Sequence, residues 1–351
     1  PACWIAGTTP GIMARFEVLP TGITNATFSA DFTGTILSRI DETAVPFSNG
    51  VTRSAVTNRT DYAPFPLSDV IPTVVSVSTN ELWHWNATSV NGHLFQNAVL
   101  VATNGPSKAF SILGEPKLPW MDSGIANTNV WVSALEFVTK TNVCFGATTQ
   151  NGIISNLTQS LFQDCHFPYD TPSGAPHFFD STNRAFRMSD YVFATTTTSD
   201  KTVNCFDQAH GLSFLSALCG IPAEIVRMEP FGYLHPGHLV GVSGLCNNPF
   251  YSSPWATATS PSCGTNDTSR SKFSCHFFVR HNSSVFDSCA GPALGTETLS
   301  EYVSRMVDTS TSGEQFYKIR YRDRYGSVRE KTVEGGVATN AVPYTDIKTI
   351  E

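Results

Sequence analysis

The chain has 351 residues and a mass of 38.1 kDa, of which 41% are hydrophobic and 15% charged. Its 24 Phe, 10 Tyr and 6 Trp supply ample apolar bulk for a packed core and exclude a disordered chain. The 22 Lys and Arg against 29 Asp and Glu give a net charge of −7, which favours no nucleic-acid or anionic-membrane partner, and no apolar run approaches the roughly 18 residues of a membrane-spanning helix. This length predicts one large domain or two coupled ones. Pro1 rather than Met opens the chain, the expectation where a leader or pro-segment has been removed or the sequence trimmed.

Residues 1–115 read as a β-rich N-terminal domain or extension. Short runs of Val, Ile, Phe and Thr at 15–19, 28–40, 73–79 and 98–102 are separated by Gly, Pro and Asn clusters, and long helical periodicity is absent. Pro106, Pro116 and Pro119 punctuate a transition, after which the pattern over 116–351 turns helical. Asn129 opens a helix carrying Val132, Leu135 and Val138, and a second helix runs from about Thr149 towards Gln163. The 168–176 stretch reads as loop. A third helix follows Asn204 and stops at Cys219-Gly220-Ile221-Pro222, with Gly at the first position beyond the helix and Pro just after. Strands are predicted at 224–228 and 239–242, then a polar loop over 246–271. A hairpin at 273–280 and 284–288 turns at His281-Asn282. A helix over about 297–307 and exposed strands at 316–321 and 327–333 complete the chain.

Nine cysteines are present: Cys3, Cys144, Cys165, Cys205, Cys219, Cys246, Cys263, Cys275 and Cys289. None forms a Cys-x-x-Cys pair, which gives no support to a zinc ribbon or thioredoxin-like motif. Six Asn-x-Ser/Thr triplets begin at Asn25, Asn58, Asn86, Asn156, Asn266 and Asn282. Together these features point to a secreted, extracellular, glycosylated protein. An odd cysteine count then leaves one thiol over, either for an intermolecular link or as a reactive group.

Cys205 stands in the first turn of the third helix, whose apolar residues lie nearly all round and predict a buried central helix. Unpaired backbone N–H groups and the positive end of the helix dipole favour a thiolate nucleophile there. The same cysteine is equally open to being half of a disulfide. A thiolate needs an imidazole, and the imidazole an orienting acceptor. His276 is the best partner: with a two-residue turn at His281-Asn282, paired residues sum to 563 and place His276 directly opposite Asp287 on one face. The other histidines compete less well. His281 sits at the turn tip with exposure as its default, and His210 points away from Cys205. His235 and His238 form His-Pro-Gly-His without a completing ligand. Trp83-His84-Trp85 is an aromatic cluster.

The run Asn204-Cys-Phe-Asp-Gln-Ala, then Leu218-Cys-Gly-Ile-Pro-Ala223 and a strand, resembles the transglutaminase-like superfamily of cysteine hydrolases. His276 followed by two aromatics resembles that family's histidine strand, and Val285-Phe286-Asp287 its aspartate strand; the helices near Trp131 and Thr149 also sit where the family has them. The likeness covers about residues 116–310. It departs in the short spacing of 11 from His276 to Asp287 and in Phe277 where a small residue is usual. The resemblance implies an α+β fold: a papain-like core with a central Cys-bearing helix on an antiparallel sheet, preceded by the β-rich region. It further implies a Cys205-His276-Asp287 triad, no cofactor and no metal, and a protein or peptide substrate whose amide carbonyl Cys205 attacks. Hydrolysis of peptide or glutamine-type amides and amine transfer share one acyl-enzyme. With Cys205 reactive, the other eight cysteines suffice for four disulfides. Cys246 and Cys263 are the first expected pair, while Cys275 and Cys289 need a bulge to meet. Two rival readings remain: an inactive binding module using Trp83-His84-Trp85 on glycan or protein, and a metal hydrolase built on His235 and His238.

Overall fold

Short runs rich in Val, Ile, Phe, Trp and Thr build one part of the molecule, and helical runs together with further strands build the other. The architecture is that of a computed structural model, which describes residues 2–8, 11–14, 28–37, 44–53, 63–66, 73–90, 93–121, 128–196, 201–229, 231–247, 249–250, 272–307, 317–322, 328–333, 341–343 and 349–350. The chain divides into two units, one of 1–115 with 145–148 and one of 116–144 with 149–351.

The described elements of the first unit are strands: β1 Ala2–Ile5, β2 Gly11–Ala14, β3 Phe28–Leu37, β4 Ala44–Arg53, β5 Ala63–Pro66, β6 Ser76–Val90 and β7 His93–Ile112. Five of these form a sheet in the order β1-β7-β6-β3-β4, and β2 pairs with β5. All contacts in the sheet are antiparallel except β1 with β7. Phe110 and Ile112 of β7 are buried, as is Val75 just before β6. The expected strand at 15–19 lies outside the described residues. Trp83, His84 and Trp85 fall within β6, where their side chains lie outside the description.

The second unit mixes helix and antiparallel sheet, an α+β arrangement. Its helices are α1 Thr128–Val138, α2 Gln150–Gln159, α3 Met188–Ala194, α4 Cys205–Leu218 and α5 Leu299–Met306, and α2 runs on into one π-helical turn at Ser160–Asp164. Its strands are β8 Phe179–Asp180, β9 Ala185–Phe186, β10 Glu224–Met228, β11 Gly232–Tyr233, β12 Lys272–Phe273, β13 His276–His281, β14 Ser284–Asp287, β15 Ala293–Thr298, β16 Tyr317–Arg322, β17 Val328–Val333, β18 Ala341–Pro343 and β19 Thr349–Ile350. The main sheet runs β15-β14-β13-β10-β18, every pair antiparallel.

Every residue of α4 is buried, as its all-round apolar sequence requires. Phe206 meets Phe277 of β13 edge-on at 5.3 Å, Ser213 Oγ donates to Ala223 O at 2.6 Å, and buried Trp120 donates its Nε1–H to Phe214 O at 2.7 Å. The helix stops through a Schellman motif: Ile221 N donates to Ser216 O and Gly220 N to Ala217 O, both at 3.0 Å, with Gly220 at φ +83°. Two expectations need correction. Residues 239–242 form no strand, only a bridge from Leu239 to Ala290, because Gly241 turns at φ +69° against the Phe167 backbone. The hairpin turn falls one residue later than expected, at Asn282-Ser283, both at positive φ (48° and 69°) as a two-residue hairpin loop demands.

Among the described residues no helix is long and apolar enough to cross a membrane. Asn156 and Asn282 are exposed, Asn86 lies in β6, and Asn25, Asn58 and Asn266 lie outside the described residues.

Candidate active site

The site begins with the way α4 starts. Asn204 keeps an extended backbone and accepts from Asp207 N through Oδ1 at 3.0 Å, while Asp207 Oδ2 accepts from Asn204 N at 3.2 Å, a reciprocal capping box. Asp207 also accepts from His177 N at 2.9 Å and Phe178 N at 3.0 Å, and Asn204 Nδ2 donates to Gly174 O at 2.7 Å. One fully buried carboxylate thus ties the 174–178 loop to the head of α4. Burial pushes its pKa up to about 6, against the hydrogen bonds that favour the anion. Cys205 is the first residue of the helix, so its N–H has no intrahelical partner, and 8% of the residue stays open.

His276 opens β13, and Asp287 closes β14. The observed pairs, Val279 with Phe286, Arg280 with Val285 and His281 with Ser284, sum to 565 rather than 563. Moving the turn by one residue shifts partners by two, which preserves the face. His276 and Asp287 are therefore diagonal neighbours instead of directly opposed. They still meet: His276 Nε2–H donates to Asp287 Oδ2 at 2.8 Å, with the two side chains 2% and 1% exposed.

Asp287 has every acceptor direction occupied. Oδ1 takes the N–H groups of Cys289 at 2.7 Å and Ala290 at 3.0 Å; Oδ2 takes His276 and the hydroxyl of Tyr302 at 2.5 Å. Burial alone would raise its pKa, but the His276 imidazolium and these donors outweigh burial and hold the carboxyl below its usual range. For His276 burial works the other way and would lower the pKa; the Asp287 charge and hydrogen bond, helped by the Cys205 side chain, push it up to about 10. The ring lies 4.6 Å from Phe231 and 6.1 Å from Phe278. With Nε2 committed to Asp287, Nδ1 is the ring nitrogen left free of that carboxylate, and the Cys205 side chain is close enough to favour the charged ring. His276 and Asp287 are thus a directly bonded pair, and Cys205 acts electrostatically on the histidine.

Other expectations fall differently. His281 is buried: Nδ1–H donates to Pro222 O and Nε2 accepts from Asn282 Nδ2, both at 2.9 Å, because the shifted turn places it in β13 rather than at the tip. His210 is a core residue, its Nδ1–H on Phe206 O at 2.7 Å and its pKa lowered to about 4 by burial. Among the described residues no three His, Cys, Asp or Glu side chains are placed to hold a metal ion. The expected set of four disulfides is not seen among the described residues. No bridge joins any two of the eight described cysteines, and Cys3, Cys144, Cys165, Cys205, Cys275 and Cys289 are free thiols. Cys144, Cys165 and Cys289 pack in the interior as small apolar groups, and Cys246 is buried while Cys263 lies outside the described residues. Burial pushes the Cys275 thiol up to about 11, Cys165 to about 12, and Cys289 and Cys144 well above the ordinary range. Position rather than the odd cysteine count therefore singles out Cys205. Tyr302 carries no signal local to its sequence: its role depends on how α5 folds back over β14.

No family model matches the chain, and no curated protein matches it. Among solved structures it is similar to red sea bream transglutaminase, with a TM-score of 0.38 and 11% identity over 98% of this chain. The chain spans 60% of the length of that transglutaminase.

Proposed function

We propose that the chain is a secreted cysteine-dependent acyl hydrolase with a transglutaminase-like core, which cleaves peptide or glutamine-type amide bonds through a thioester on Cys205. The observation that carries this reading is the placement of His276. One ring nitrogen rests on a buried carboxylate, and a thiol at the capped start of a buried helix stands close enough to favour the charged ring.

The chemistry follows from that arrangement. The Cys205 thiolate attacks the amide carbonyl carbon, and the oxyanion forms where the Cys205 N–H, which has no partner within the helix, points. The C–N bond breaks as the His276 imidazolium gives its proton to the leaving nitrogen, which departs as ammonia or an amine. The imidazole, now neutral, takes a proton from a water molecule that attacks the thioester, releasing the carboxylic acid and the thiol. Asp287 keeps Nε2 occupied, so that this proton traffic runs through Nδ1.

The test is incubation of the protein with a glutamine-containing peptide, with and without a primary amine. Release of ammonia and the acid, absent in Cys205→Ala, is the expected result. Incorporation of the amine in place of water would assign the transfer reaction to the same thioester. An unchanged rate in Cys205→Ala would overturn the proposal.

A further inference from the structure

Tyr302 sits on α5, a helix that fixes its own start. Thr298 and Glu301 form a capping box, with Glu301 Oε2 accepting from Thr298 N and Oγ1 at 2.8 Å each. The helix delivers a fully buried phenol whose hydroxyl lies 2.5 Å from Asp287 Oδ2. Phe278 packs on its ring at 5.1 Å, and the Arg305 guanidinium stands over it at 5.5 Å. Arg305 is itself held by Glu297 at 2.5 and 2.7 Å. These contacts leave the phenol little freedom, and the oxygen it binds is the one that holds His276.

A carboxylate that gave its whole charge to a buried imidazolium would bind the proton too tightly to release it, because Coulombic attraction is strong where water is excluded. A second donor on the same oxygen draws off part of that charge and fixes the carboxylate rotamer. We propose that Tyr302 is a positioning residue of this site, orienting Asp287 and tempering the charge that Asp287 presents to His276. This deepens the functional reading above and rests on it. The titratable groups facing Asp287 are His276, Tyr302 and Cys289, with Arg305 over the tyrosine ring and Cys205 acting on His276. Glu297 already balances Arg305, so the phenol hydroxyl is the group through which α5 acts on the carboxylate.

The test is nuclear magnetic resonance of the intact protein labelled with 15N-histidine, following the pH at which the His276 ring loses its proton. Tyr302→Phe removes the hydroxyl and keeps the ring. It is expected to move that midpoint upward by about half to one pH unit, and to lower kcat for amide hydrolysis about tenfold with little change in KM. In the Asp287→Asn background the same substitution is expected to leave the midpoint where Asp287→Asn alone puts it, because the hydroxyl acts only through the carboxylate. Protein grown with fluorinated tyrosine needs no substitution at Tyr302 and provides a check if the Phe variant does not fold. Its more acidic phenol donates more strongly and should move the midpoint downward. A folded Tyr302→Phe with an unmoved midpoint, or an unmoved midpoint in the fluorinated protein, would overturn the proposal. If the wild type lacks amidase activity while the midpoint moves as expected, the functional reading fails and the coupling of Tyr302 to His276 stands.

Discussion

Replacing Asp287 by Asn removes the charge on which the whole site turns. In the wild type, burial would keep His276 neutral, yet its pKa stands at about 10 against an ordinary 6.5. That difference corresponds to about 5 kcal/mol of preference for the imidazolium in the folded protein. The sign follows from linkage. A folded-state pKa raised above the unfolded one gives stability that is fully present below about pH 6.5 and is lost as pH rises through about 10. The Asp287 pKa is lowered, so its contribution is present above the ordinary 3.8 and is lost as pH falls through the depressed value. The stability difference between wild type and Asp287→Asn is therefore largest between about pH 4 and 6.5, and at least about 3 kcal/mol smaller at pH 9 than at pH 5. Urea unfolding of both proteins at those two pH values measures it. The variant should also leave His276 largely neutral at pH 7 and slow iodoacetamide alkylation of Cys205, while Cys165, Cys275 and Cys289 stay protonated and unreactive in both proteins. A stability difference that stays flat from pH 5 to pH 9, with alkylation of Cys205 unchanged, would refute the reasoning.

Two further predictions concern the frame of the site. Asp207 has its pKa raised to about 6 from 3.8, so it contributes stability below pH 3.8 that is lost as pH rises through about 6. Between pH 4 and pH 7 the wild type should lose about 2 kcal/mol relative to Asp207→Asn, whatever fixed cost the substitution carries; equal losses in urea titrations would remove the claim. Ser283 is held at φ 69° in the hairpin turn, a region that costs a residue with a side chain about 1 kcal/mol. Ser283→Gly should raise stability by about 0.5–1 kcal/mol without touching the site, and an unchanged or lower urea midpoint would count against the turn as described.

The parts of the site that were legible in the sequence are those fixed by neighbours in the chain. Asn204 and Asp207 set the start of α4, and Gly220 with Pro222 sets its end, because capping and C-terminal turns are local chemistry. The meeting of His276 with Asp287 survived an error of one residue in the turn, since such an error moves partners by an even number and leaves the pleat unchanged. The error itself arose because positive φ at Ser283 has no strong sequence preference, while Asn282 fits either turn. Long-range facts were not legible. Tyr302 reaches Asp287 only because β15 and α5 fold back across the sheet, and neither its spacing nor its pattern announces that contact. Cysteine arithmetic was a poor guide, because among the described residues six thiols are free and several serve as apolar packing. Likewise 239–242 carries the apolar residues of a strand, but Gly241 bends it against the Phe167 backbone.

The most direct measurement is a rapid acid quench of the protein turning over a glutamine-containing peptide, followed by peptide mapping with mass spectrometry. The account predicts one new adduct, the peptide acyl group minus ammonia, attached to Cys205 and lost on mild hydroxylamine treatment. Turnover with no acyl group on Cys205, or with the acyl group on another residue, would contradict it.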